Sequence, residues 1–160
     1  MLVTSQLESK NGDGWQSSSN ILIKSGVAKI TDFGLSNVLK QAISKSSDKG
    51  ALAYKDPLFL VNTSYQLDKK SDIFSLGVIF WEISSGEVPC SGHTEMNYIV
   101  TYRRNGFRDL TFPGTPEEYF KLYSECWTGD RSKRPDCEKV SFNYSNKTLF
   151  DKLPMYYVDI

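Results

Sequence analysis

The chain has 160 residues, 19 basic and 19 acidic side chains, one histidine and three cysteines, with 13% aromatics. Its balanced charge offers no electrostatic pull toward nucleic acid or an anionic membrane, so neither is expected as a partner. Cys90, Cys126 and Cys137 form no CxxC pair and are odd in number, which argues against a zinc site or disulfide framework and for a reduced, cytoplasmic setting.

Residues 1–19 are polar and rich in Ser and Gly, and read as a mobile arm with no signal-peptide pattern. No apolar run reaches the roughly 20 residues needed to span a membrane. The sequons at Asn62, Asn143 and Asn146 are then chance matches. Next come two apolar runs, Ile21-Leu22-Ile23 and Val27-Ala28-Lys29-Ile30, flanking Ser25-Gly26. Branched residues suit a pleated surface and a turn ending in Gly reverses the chain, so 21–30 is expected to be a β-hairpin. Asn20 precedes the first strand and Asp32 follows the second. An amide oxygen beside a carboxylate suits a hard cation such as Mg²⁺, although Asn and Asp also flank strands simply as turn formers.

Residues 35–56 form a long polar connection. Pro57 opens a short apolar segment, Leu58 to Val61. Ser71-Asp72 starts the strongest helix, with Ser71 as cap and Asp72 at the positive end of the dipole. Its body, Ile73 to Ile83, is apolar on nearly every face and must be buried all round, and Gly86 ends it. A second helix is expected over Thr94–Arg104, with Met96, Ile99, Val100 and Tyr102 as apolar positions and Gly106 as the stop. A third follows a turn region at 111–116, with Thr115 as cap and Pro116 in the first turn. It carries Tyr119, Phe120, Leu122, Tyr123, Cys126 and Trp127 up to Gly129-Asp130. A last short helix spans about Asp136–Phe142, before an unpatterned tail at 143–160. The fold class is mainly α.

In order, the chain shows Asn20-Ile21-Leu22, Asp32-Phe33-Gly34, Gly50-x-x-x-Tyr54-x-Asp56-Pro57, Ser71-Asp72-Ile73-Phe74-Ser75-Leu76-Gly77, Cys126-Trp127 and Asp130-x-x-x-Arg134-Pro135. This series resembles the C-terminal lobe of a eukaryotic protein kinase, nearest the tyrosine-kinase-like branch, over about residues 18–140. The resemblance implies a protein substrate, with ATP and Mg²⁺ as cofactors. Asp32 matches the aspartate that holds Mg²⁺ on the ATP phosphates, and Asn20 the asparagine that holds the second Mg²⁺. Phe33 matches the packing residue that follows this aspartate. Leu22 resembles the apolar residue beneath the adenine, or is a plain core leucine. Residues 35–56 match the activation loop. Its Ser44, Ser46 and Ser47 are phosphorylation candidates or merely a polar loop tip. Asp72 resembles the helix aspartate that holds the catalytic-loop backbone.

Several positions depart from the pattern. Counting back from Asn20, the H-R-D triplet is Asp13-Gly14-Trp15, so Trp15 stands at the catalytic aspartate's place. An indole has no basic lone pair for a substrate proton, and no catalytic residue is intact. Asp13 lies about 7 Å away along an extended chain, too far to substitute. No Gly-rich loop, strand lysine or partner glutamate precedes Asn20, so the N-terminal lobe is expected to be absent. Leu58 stands where the family has a glutamate paired to the arginine matching Arg134. Arg134 must therefore find another acceptor, with Glu82 and Asp130 as candidates, or turn to solvent. Ala51 replaces a hydroxyl that Ser/Thr-directed members carry. The domain division is 1–17 as arm, 18–142 as partial kinase domain and 143–160 as tail. Three functions follow: a kinase, impaired as written; a non-catalytic module that binds a partner protein; or a non-functional fragment.

Overall fold

The computed structural model describes residues 21–24, 27–30, 50–62, 64–91 and 95–145. Strands β1 (Ile21–Lys24) and β2 (Val27–Ile30) pair antiparallel, with Ile21 opposite Ile30 and Lys24 opposite Val27. In that register the chain enters β1 and leaves β2 at the same end. The Ser25-Gly26 turn lies outside the described residues, as do the arm, the polar loop up to Lys49 and the tail beyond Ser145.

The rest is helical. A 3₁₀ turn, Gly50–Tyr54, leads into the one-turn helix α1 (Pro57–Val61). The apolar Leu58–Val61 segment is helical because Asp56 caps it, accepting from Leu58 N at 3.0 Å, and Pro57 supplies a first-turn φ.

The central helix, α2 (Lys69–Ser85), begins three residues earlier than a cap at Ser71 implies. Its cap is Asp68, whose Oδ1 accepts from Lys70 N at 3.0 Å and Ser71 N at 3.3 Å. Ser71 is thus inside the first turn, and its hydroxyl is spent on Asp56 instead. Every residue from Ser71 to Trp81 is buried. Burial is not complete, because Ile83 is 46% exposed near the end of the helix. Gly86, at φ 71°, closes it by donating to Glu82 O.

Helix α3 (Met96–Arg104) has Glu95 at its start with no side-chain cap; Thr94 lies outside the described residues. Gly106 follows at φ 82°. Helix α4 (Glu117–Cys126) starts one residue after Pro116, which occupies the cap position without a side-chain bond. Thr115 does not cap it: its hydroxyl donates back to Phe112 O at 2.8 Å, closing the preceding turn. Glu117 and Glu118 in the first turn supply the favourable charge instead. Helix α5 (Cys137–Ser145) runs three residues past Phe142.

The core lies where α2 packs on α4. A Cβ on Gly77 would stand 2.8 Å from both Cys126 Cβ and Trp127 N, so the two helices meet this closely only because Gly77 has no side chain. Buried tyrosines keep their hydroxyls satisfied: Tyr119 donates to Phe80 O at 2.8 Å and Tyr123 to Thr111 Oγ1 at 3.1 Å. Burial pushes the Cys126 thiol up to about 12, so it packs as an inert apolar group.

Candidate functional site

Asn20, Asp32, Phe33 and Trp15 lie outside the described residues, together with Ser44, Ser46 and Ser47. Of the ligand-side residues, Leu22 is placed by its backbone, in β1 opposite Lys29. The described residues from the end of the long loop, 50–61, are fastened to α2.

That fastening is charged. Asp56 and Arg134 are both fully buried and meet as a two-pronged pair, Nη1 to Oδ2 at 2.5 Å and Nη2 to Oδ1 at 3.2 Å. Arg134 also donates from Nε to Thr128 O at 3.0 Å and from Nη1 to Lys70 O at 3.0 Å, and it lies over the Phe74 ring. Arg134 therefore does find an acceptor other than the missing glutamate, but neither named candidate is the one. Glu82 accepts from Tyr54 instead, and Asp130 caps the 3₁₀ turn Arg131–Lys133 through Ser132 N. The sequence signalled only that Asp56, directly before a helix-starting Pro, is a cap; its pairing with Arg134 had no local signal. A ring of partly exposed pairs surrounds the buried one. Lys70 Nζ reaches Asp136 Oδ1 at 2.5 Å and Arg134 O at 2.7 Å, and Arg131 pairs with Asp68. The Lys70 ammonium holds the Asp136 carboxyl below the usual range. Asp72, in the first turn of α2, is buried at 6% exposure.

A second cluster sits at the end of α3. Arg103 is fully buried and pairs with Asp109 at 2.7 Å, and Asp109 also accepts from Cys90 N at 3.1 Å. Cys90 adopts φ 58°, a strained conformation for a residue with a side chain. Arg103 Nε and Nη1 have no hydrogen-bond partner among the described residues. Sequence reasoning missed this arginine as a core residue, although Arg103 lies four residues after buried Ile99 and so shares its helix face. Arg108, beside it, donates to Trp127 O and Phe107 O, and burial with the nearby Arg103 charge lowers it to about 10, still cationic at neutral pH. A cleft of about 500 Å³ opens next to this cluster, with Trp81, Ser85, Cys90, Tyr98 and Leu110 in its walls.

The comparisons with known proteins decide what this frame is. The protein kinase domain family matches residues 17–143, more than half of the chain. The chain belongs to the protein kinase family. It is 34% identical over 113 residues to mitogen-activated protein kinase kinase kinase 10 of Mus musculus, covering 69% of this chain and 11% of that protein. A probable serine/threonine-protein kinase of Dictyostelium discoideum is 32% identical over 144 residues, covering 78% of this chain and 17% of its own length. The tyrosine-protein kinase abl-1 of Caenorhabditis elegans is 30% identical over 123 residues, with coverage of 75% and 10%. The chain thus spans well under a quarter of the length of these kinases. Within the kinase frame, Asp56 and Arg134 tie together two stretches 78 residues apart in sequence. Among the described residues no group of three His, Cys, Asp or Glu side chains converges on a metal, and no helix is long and apolar enough to cross a membrane.

Proposed function

We propose that the chain is the C-terminal lobe of a protein kinase, residues 18–142, nearest the tyrosine-kinase-like branch. It keeps the metal-holding half of the site and transfers phosphate to protein hydroxyls weakly or not at all by itself. The observation that carries this reading is the strand register. Ile21 lies opposite Ile30, so the segments that carry Asn20 and Asp32 leave the strand pair from one end. Asn20, directly before Ile21, and Asp32, two residues after Ile30, offer hard oxygen donors of the kind that would hold Mg²⁺, which would neutralise charge on the ATP phosphates when bound. Leu22 would support the nucleotide base. Trp15, at the place of the proton acceptor, leaves the substrate hydroxyl without a base.

Titration of the full chain with a fluorescent ATP analogue tests the reading. Weak Mg²⁺-dependent binding is expected, lost in Asp32→Ala and Asn20→Ala. Transfer of labelled phosphate to a generic protein substrate is expected at the level of Asp32→Ala. Binding that ignores Mg²⁺ and both substitutions rejects the metal assignment, and transfer well above Asp32→Ala rejects the impairment.

A second reading, a non-catalytic module that binds a partner protein, is favoured by exposed apolar side chains. Leu58, Val61, Phe107 and Leu110 are 39%, 50%, 57% and 88% exposed. A chain that sediments as a monomer and binds no apolar dye would count against it.

A further inference from the structure

Residues 50–61 are held to α2 by hydrogen bonds of Tyr54 and by the buried carboxylate of Asp56. Ser75 Oγ donates to Tyr54 O at 2.8 Å, Tyr54 Oη donates to Glu82 at 2.9 Å, and Phe59 is buried. The charged contact is Asp56. Its two oxygens receive Arg134 Nη1 and Nη2, Ser71 Oγ at 3.1 Å and Leu58 N at 3.0 Å. Those donors come from α1, α2 and the end of the 3₁₀ turn before α5, so one carboxylate joins three parts of the chain. A carboxylate offers about four lone-pair sites, and here all are used. Leu58, in contrast, is 39% exposed, whereas Arg134 and Asp56 are fully buried.

We propose that Asp56 is the positioning residue that fixes the end of the loop matched to the activation loop, and that position 58 no longer faces the arginine. The anchor then lies two residues nearer Gly34 than the glutamate place, and the loop between is shorter by that amount. The inference rests on the kinase reading only for the identity of the loop. A glutamate introduced at 58 would enter solvent unless α1 unwound, so it should not replace Asp56.

Amide hydrogen exchange followed by mass spectrometry on the full chain tests this. Asp56→Asn keeps the shape and removes the charge, leaving Arg134 buried and unpaired. Exchange across 52–61 is expected to rise on the order of a hundredfold, while 117–126 stays protected. Adding Leu58→Glu should restore nothing. Unchanged protection in Asp56→Asn, or recovery with Leu58→Glu, would overturn the proposal. If Asp56→Asn loses its helicity altogether, Arg134→Lys decides, because it keeps the charge and loses the fork. Exchange at 52–61 about tenfold faster than in the native chain supports the anchor, and unchanged exchange overturns it. None of these readouts needs nucleotide, so a failed ATP titration beside the expected exchange pattern rejects the metal and nucleotide assignment alone.

Discussion

Arg134 and Arg103 are two arginines with no exposed side-chain surface, each facing one aspartate, yet their surroundings differ sharply. Arg134 has a two-pronged pair with a fully buried partner, two backbone carbonyls and an aromatic face. Arg103 has a single bond to Asp109, which is 15% exposed, and its Nε and Nη1 find no partner among the described residues. It is compensated partly by ring faces, with the guanidinium 5.7 Å from Trp127 and 5.8 Å from Tyr102. The lesson is that burial of a cation does not measure its worth. What matters is how many donors find acceptors and whether the counter-charge can return to water once the cation is removed.

The largest effect should come from breaking the complete pair. Arg134→Met leaves Asp56 buried without its counter-charge and should destabilise the fold by about 3–5 kcal/mol, read from urea denaturation. Next, Gly77→Ala forces a methyl against Cys126 Cβ and the Trp127 backbone nitrogen. Backbone cannot swing aside, so a loss of about 1–3 kcal/mol is expected, visible as a lower Tm. Tyr119→Phe removes the hydroxyl bond that the Phe80 carbonyl accepts and should cost about 1 kcal/mol. Arg103→Met should be the mildest, within about 1 kcal/mol of neutral in either direction, because Asp109 can hydrate and still serve Cys90. If Arg103→Met costs as much as Arg134→Met, the two open N–H groups are satisfied by bound water and the contrast fails.

A pH experiment probes the same core from another side. The Cys126 thiol is pushed up to about 12 from its ordinary 9.0 by burial. A raised folded value means the unfolded chain ionises first. Its stabilising contribution is full below pH 9.0 and is lost as pH rises toward 12. Stability should fall over that window, and Cys126→Ala should flatten the fall.

Much of the fold was legible from local pattern. The all-round apolar run from Ile73 needed burial, Gly86 needed a left-handed stop, and the aromatic series from Tyr119 needed a core face. The landmarks from Asn20 to Pro135 were enough to point to the kinase family. Capping was read less well. Asp68 took the role given to Ser71, and Thr115 closed its own turn, because several short polar side chains near a helix start compete and only the backbone's path selects one.

What the sequence determined by itself was therefore what depends on near neighbours: periodicity, helix stops and the order of motifs. The acceptor of Arg134 depends on contact between residues 78 apart, which no local pattern encodes. Asp56 became that acceptor because the start of α1 lies against Ser71 and the end of the 3₁₀ turn, and a buried guanidinium takes whichever carboxylate the packing brings into its fork. Arg103 entered the core in the same way, carried inward by the face that Ile99 buries.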